Sequence, residues 1–260
     1  MNNLREKFDE YGFVTSKNLL SNAEKKKIIS VIYQEFSNLF KLKNRKKFSI
    51  QDQSFHDNLK NLRKKNPKKF GEIYDKFKLN AYLRSIFYSS KFLKLFSKIL
   101  NTKEELIYIN GFMLRFDAPN DKRNSLNWHQ DTPYYLMTYP ENNAGVCWLA
   151  ITNNSKENGS LAYIPKSHYH LEKFVSSKKN KSTSEQRKIK IYKNELKKTK
   201  YLKQNFGSAS FLHLNLKHRS GKNITKKFRI TLACRFHDTK QNFNIGTEVY
   251  KYNKRVKFKI

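Results

Sequence analysis

Near residue 105 the hydrophobic period of this 260-residue chain changes, and no other feature restricts its possible folds as much. Before that point apolar residues recur at helical spacing; after it the apolar runs are short, β-branched and aromatic. LIYINGFMLRF (106–116), GVCWLAIT (145–152), SASFLHLNL (208–216) and FRITLACRF (228–236) read as strands. Their connections are too short for helical crossovers except after residue 168. The pairing is therefore antiparallel, and a β sandwich or barrel is expected with the N-terminal helices covering one face. In the helical part, Ser21 with Glu24 forms a capping box. Behind it Ile28, Ile29, Ile32, Phe36, Leu39 and Phe40 predict a helix of about five turns. The stretches 68–78 (Phe70, Ile73, Tyr74, Phe77) and 89–100 (Phe92, Leu93, Phe96, Ile99, Leu100) are amphipathic too. Residues 41–66 are polar and Lys-rich, a pattern shared by a loop and a flap, and 171–205 form a second lysine-dense stretch. With no internal repeat and no Pro/Gly/Ser linker, residues 1–260 are expected to form one domain, mainly helical over 1–104 and strand-rich over 105–260.

The charge balance is extreme, 54 Lys+Arg against 21 Asp+Glu for a net +33, and taken alone suggests a polyanion partner. The basic residues, however, are 43 Lys and only 11 Arg, accompanied by 28 Asn, 20 Phe and 15 Tyr. These are residues of AT-rich codons, whereas nucleic-acid sites favour the planar fork of Arg. Genome composition therefore accounts for the surface, and nucleic acid is not the expected partner. Cys147 and Cys234 are too few for a disulfide framework or a cysteine zinc site, and both lie in apolar runs. No apolar leader opens the sequence and no run reaches the roughly eighteen residues of a membrane span. The expectation is a protein of the reducing cytoplasm.

The chemistry concentrates in Trp128-His129-Gln130-Asp131. On an extended segment, His and Asp two apart project to one side and can share a metal ion. His218, 89 residues on, ends the alternation Leu212, Leu214, Leu216, and Ser-Gly-Lys-Asn then supplies a turn. Arg229 follows His218 by 11 residues at the start of the returning strand. Two histidines and a carboxylate on one side of Fe(II) leave positions open for a chelating co-substrate and O₂, and a guanidinium nearby suits a dicarboxylate. The competing reading is two separate buried histidines with no shared ion.

In these segments the chain resembles the phytanoyl-CoA dioxygenase family of Fe(II)- and 2-oxoglutarate-dependent oxygenases. FDEYGFVTSKNLLS (8–21) is similar to the family's opening and NWHQD (127–131) to its WHQD segment. CWLAITNNSKENGSLAYIPKSHYH (147–170) is similar to its ENG-x-L and P-x-SH element, and LKHRSGKN with Arg229 to its distal-histidine block. Lys166 stands where the family usually has Gly, and RSGKN replaces a GSGPN-type turn.

The resemblance implies an α+β, β-rich fold: a double-stranded β-helix (a cupin-like jelly-roll) over 105–260, with 171–205 as an insert. It implies that His129, Asp131 and His218 bind iron, that Arg229 holds the distal carboxylate of 2-oxoglutarate, and that Gln130 and Trp148 contact the co-substrate. His168 reads as structural. The implied activity is hydroxylation of an unactivated C–H bond of a small molecule, with release of succinate and CO₂, and a ligating Asp131 favours hydroxylation over halogenation. Arg115, Tyr134 and Tyr135 are the substrate-side candidates, with the alternatives that the tyrosines only pack and that Arg115 pairs with Asp117. Two rival functions are a non-catalytic basic jelly-roll module binding a polyanion and a cupin-like metal enzyme without 2-oxoglutarate. The basic balance leans toward an anionic or phosphorylated substrate.

Overall fold

A computed structural model describes residues 4–42, 44–121, 125–135, 143–177 and 186–240. Six helices lie in the N-terminal part: α1 (Leu4–Tyr11), α2 (Asn22–Ser37), α3 (Gln53–Lys65), α4 (Pro67–Leu79), α5 (Ala81–Ser85) and α6 (Ser90–Leu100). The expected capping box is present, with the Ser21 hydroxyl accepting from the Glu24 amide and the Glu24 carboxylate accepting from that of Ser21. It starts α2, which ends at Ser37, one turn short of the expected length, so Leu39 lies beyond it and is exposed. The undecided stretch 41–66 contains α3, whose Phe55, His56 and Leu59 are buried.

The strands follow as β1 (Phe13–Ser16), β2 (Ile107–Asp117), β3 (Ala144–Ala150), β4 (Ala162–Tyr163), β5 (Phe174–Ser177), β6 (Gln186–Ile189), β7 (Lys200–Tyr201), β8 (Ala209–His213), β9 (His218–Arg219) and β10 (Arg229–Asp238), with a short helix α7 (Lys193–Leu196) before β7. The large sheet has the order β1-β8-β3-β10-β2 and the small one β7-β4-β9, every pair in them antiparallel. This is the expected jelly-roll core with helices outside. The outer face of the large sheet (Leu114, Phe116, Leu149, Phe211, Leu232, Phe236) packs on Ile32 and Phe36 of α2, Phe77 of α4 and Phe92 and Phe96 of α6. Phe96 stacks on Phe236 at 4.4 Å between ring centres. The inner face puts Val146, Trp148, Leu212 and Ala233 against Leu161 and Tyr163 of the small sheet, and this second core lies around the site.

Two expectations about strands change. Leu212, Leu214, Leu216 and His218 do not share one strand: β8 ends at His213 and the chain crosses to the small sheet before His218 opens β9. All three leucines stay buried because the corner keeps them between the sheets. Nor do His218 and Arg229 lie on a hairpin, since β9 and β10 belong to different sheets. That crossing runs against the loop at 155–160, where a Cβ on Gly221 would overlap the Ser160 carbonyl. Of the lysine-dense insert, 178–185 lie outside the described residues; β5 and β6 form a hairpin, and β7 is a strand of the small sheet. Lys217 of the core reaches this insert, pairing with Glu172 at 2.6 Å and Glu195 at 2.7 Å. Lys166 takes a left-handed conformation (φ 62°), the backbone that favours Gly at this position. His168 is structural, bonding the Asp9 carbonyl through Nε2 at 2.8 Å.

Two buried histidines away from the metal candidates make stability depend on acid. His56 accepts the Phe228 amide through Nδ1 at 3.1 Å, and burial, aided by Lys227, lowers its pKa to about 4. Burial, aided by Arg235, does the same to His237. Below about 6.5 the unfolded chain binds these protons while the folded chain does not, so each histidine's contribution is complete above that pH and lost as pH falls toward 4. Each is expected to lower stability by about 1.4 kcal/mol per pH unit within that window. Denaturant midpoints between pH 7 and 5 check this, with His56→Gln expected to flatten the slope.

Candidate metal centre

His129 and His218 face each other across a main-chain bridge in which each amide donates to the other's carbonyl, at 2.9 and 3.0 Å. The bridge extends the small sheet past β9 and brings the two rings to 4.2 Å between centres. Asp131 reaches the same place by a different route from the expected strand alternation. Its backbone has already turned helical (φ −80°, ψ −26°) at the start of the 3₁₀ turn Thr132–Tyr134, and its amide donates to the Leu214 carbonyl at 2.7 Å. The turn aims the carboxylate back at the imidazoles. Nε2 of His129 and of His218 lie 3.6 and 4.0 Å from Asp131 Oδ1. The three ligand atoms fall within 4.8 Å of one another, and all three residues are buried.

The hydrogen bonds fix which nitrogens are available. Nδ1 of His129 contacts the Asn127 carbonyl at 2.7 Å and Nδ1 of His218 the Leu216 carbonyl at 2.8 Å. A carbonyl only accepts, so each Nδ1 carries the proton and each Nε2 offers its lone pair toward Asp131. Burial, with the neighbouring His129, lowers the His218 pKa to about 4, so this ring is neutral at pH 7. Burial would raise the Asp131 carboxyl, but the neighbouring imidazole of His129 and the positive charge of Arg235 outweigh it and hold the group ionised. Two imidazoles and one carboxylate, converging from one side, form a ligand set for a divalent ion with positions left open.

The wall beside these ligands is the inner face of β10, where Arg229, Thr231, Ala233, Arg235 and His237 alternate inward. Asp117 lies opposite Arg229 in register and accepts from its Nη2 at 2.6 Å. The other Asp117 oxygen accepts from Nε and Nη2 of Arg115, at 3.2 and 2.8 Å, giving a buried Arg–Asp–Arg cluster. Burial raises the Asp117 pKa, yet the two guanidiniums overcome it and lower the group below its usual range. Around this cluster three buried polar atoms have no hydrogen-bond partner: Arg229 Nε, Thr231 Oγ1 and Trp148 Nε1. Unmatched donors beside a cation are what a bound carboxylate satisfies, so these residues fit an anionic end of a dicarboxylate.

The other residues singled out in the sequence fall in different places. Trp148 faces the interior, with the Arg115 guanidinium 5.4 Å from its ring centre. Arg115 both faces the interior and pairs with Asp117. Gln130 points away from its neighbours His129 and Asp131: its amide nitrogen donates to the carbonyls of His170 and Asn215 and its oxygen accepts from the Glu172 amide, so the side chain ties loops together. Tyr134 sets its ring edge-on to His129, and its hydroxyl accepts the Arg187 amide at 2.6 Å. Tyr135 lies under the Arg235 guanidinium, 4.4 Å from ring centre to carbon. Thr231, Arg235 and the second role of Asp117, as partner of Arg229, escaped the sequence reading. The signal for the first two was the period of two in FRITLACRF, which puts 231 and 235 on the face of Arg229.

The model of the phytanoyl-CoA dioxygenase (PhyH) family matches residues 8–231. No curated protein matches the sequence. Among solved structures the chain is similar to the non-haem monooxygenase ThoJ in its apo form (20% identity, TM-score 0.60, covering 90% of this chain and 77% of that one). It is also similar to EvdO2 from Micromonospora carbonacea var. aurantiaca complexed with 2-oxoglutarate (16% identity, TM-score 0.60, 92% and 91% covered). A third is EctD from S. alaskensis with 2-oxoglutarate and 5-hydroxyectoine (14% identity, TM-score 0.59, 94% and 78% covered). At such identities the likeness is one of fold.

Proposed function

The chain belongs to the phytanoyl-CoA dioxygenase family of Fe(II)- and 2-oxoglutarate-dependent enzymes, and we propose that it hydroxylates an unactivated C–H bond of a small molecule at a centre held by His129, Asp131 and His218. The observation that carries this reading is the convergence of two Nε2 lone pairs and one carboxylate within 4.8 Å. Bound iron, with 2-oxoglutarate and O₂, supplies the oxidising equivalent that converts C–H to C–OH while the co-substrate leaves as succinate and CO₂.

The protein's own groups bind, orient and shield. The Nδ1 bonds to the carbonyls of Asn127 and Leu216 fix both imidazoles in rotation with Nε2 toward the centre. Arg229, with Thr231 and Trp148 beside it, takes the distal carboxylate, while Asp117 and Arg115 keep the Arg229 fork aligned and its charge partly balanced. Tyr134, packed against His129 and tied to Arg187, excludes water from one side, and Tyr135 lines the substrate side. Residues 1–260 act as one domain, an assignment supported by the single core shared by the helices and the large sheet. No helix among the described residues is long and apolar enough to cross a membrane. Cys147 and Cys234, free and buried opposite each other on β3 and β10, support a reducing, cytoplasmic setting.

The test is an anaerobic titration of metal-stripped protein with Fe(II) and then 2-oxoglutarate. A visible charge-transfer band is expected, followed by succinate release on admission of air. Absence of the band would overturn the reading.

A further inference from the structure

We propose that Arg235 is the receptor for a carboxylate on the substrate, so that the small molecule hydroxylated here is an organic acid anchored by its anionic end next to the metal. This rests on the dioxygenase reading above and deepens it. The observation that carries it is a buried cation whose one carboxylate neighbour, the metal-ligand candidate Asp131, lies beyond hydrogen-bond reach. Arg235 is 7% exposed, its Nε has no hydrogen-bond partner, Nη1 donates only to the Gly111 carbonyl at 3.1 Å, and Nη2 approaches Asp131 Oδ2 no closer than 3.8 Å. By contrast Arg115 and Arg229 share Asp117, and Lys217 has Glu172 and Glu195, all in hydrogen-bond reach.

Burying a charge costs several kcal/mol unless it is paired and hydrogen-bonded. Asp131 compensates Arg235 at a distance only while its own charge is free. Once a divalent ion takes that carboxylate, the guanidinium is left beside a dication, and the local demand for an anion rises. The fold has also made room for the side chain. A β-bulge between Ala233 and Arg235 shifts the register against β2, and Gly111 opposite has a positive φ of 58°. A Cβ at Gly111 would come 2.7 Å from Arg235 Cδ, so the glycine vacates the space that the arginine crosses. Tyr135 covers one face of the guanidinium at 4.4 Å, and Nε has no protein partner to compete with an oxyanion for its proton.

The position separates this role from that of Arg229. The two arginines lie six residues apart on one face of β10, about 20 Å between α-carbons, with the metal ligand Asp131 next to Arg235. Arg229 is held at its own end of the strand by Asp117. One arginine therefore serves the co-substrate's far end, and the other stands beside the reacting centre. Substrates lacking an acid group would leave Arg235 unpaired and so be rejected.

The test uses the anaerobic Fe(II)–2-oxoglutarate complex and follows its charge-transfer band. Acetate, butyrate, hexanoate and octanoate are titrated beside their primary amides, into wild type, Arg235→Gln and Arg235→Lys. In wild type the carboxylates are expected to perturb the band and bind roughly 10- to 100-fold more tightly than the amides, the range of a charge-assisted bond. Arg235→Gln is expected to abolish that preference and Arg235→Lys to keep part of it, with 2-oxoglutarate affinity unchanged within about threefold. Equal response to acids and amides, or to neither, overturns the proposal. So does a loss of 2-oxoglutarate affinity in Arg235→Gln, which would assign the residue to the co-substrate. If the band itself fails to form in wild type, it is the dioxygenase reading that has failed.

Discussion

His218→Ala is expected to reduce 2-oxoglutarate turnover to background and to erase the charge-transfer band at any accessible Fe(II) concentration. The lost group is one of the three that converge among the described residues, and perturbing even a residue that merely orients a ligand costs roughly 10- to 100-fold. The fold is expected to survive. His218 pairs with His129 through main-chain atoms, which the substitution leaves in place, and Leu216 beside it keeps its place in the inner core. What goes is one Nδ1 hydrogen bond and the volume of a ring, about 1–3 kcal/mol. Circular dichroism and a thermal midpoint distinguish a dead site from an unfolded chain. Partial return of the band on adding imidazole would show that the vacated ligand position itself is responsible. Turnover retained in a well-folded variant would remove His218 from the centre.

Arg229→Gln is expected to weaken 2-oxoglutarate roughly 30- to 100-fold while leaving Fe(II) affinity within a factor of about three. The direction follows from the charges. Arg229 and Arg115 surround Asp117, so the cluster carries a net positive charge that a dicarboxylate's far end neutralises. Glutamine removes the cation but leaves Asp117 paired with Arg115 through Nε and Nη2, so no carboxylate is stranded and the variant folds. Titration of the band with 2-oxoglutarate reads the effect directly. Unchanged co-substrate affinity would favour a metal enzyme that works without 2-oxoglutarate.

The sequence was most informative where a local signal coincided with long-range structure. The capping box at Ser21 and Glu24 is a local signal, and the amphipathic stretches that became α4 and α6 and four of the five strands of the large sheet carry a period several residues long. The small sheet was invisible because β4, β7 and β9 are two residues each, too short for any period to show. α3 was obscured by the polar and lysine-rich face around Phe55 and Leu59. The corner between β8 and β9 was hidden for the opposite reason: the alternation of Leu212, Leu214 and Leu216 continues through it, since both sides of the corner line one core. The iron-ligand candidates could be read from residue type, spacing and resemblance. Asp117 was legible as a partner for Arg115 but not for Arg229, because that contact comes only from its register opposite Arg229.

The bridge between His129 and His218 also has a kinetic side. The two halves of the metal site come from segments 89 residues apart, and the chain between them carries β3, β4 and β8. Closing a loop of that length is entropically costly and pairs strands of high sequence separation, which places the event late on the folding route. A nascent or partly folded chain therefore holds the HxD segment without its distal histidine and has only two of the three ligands. The three-ligand set is complete once this bridge has closed, so the metal-bound spectrum is expected to appear during refolding together with that contact.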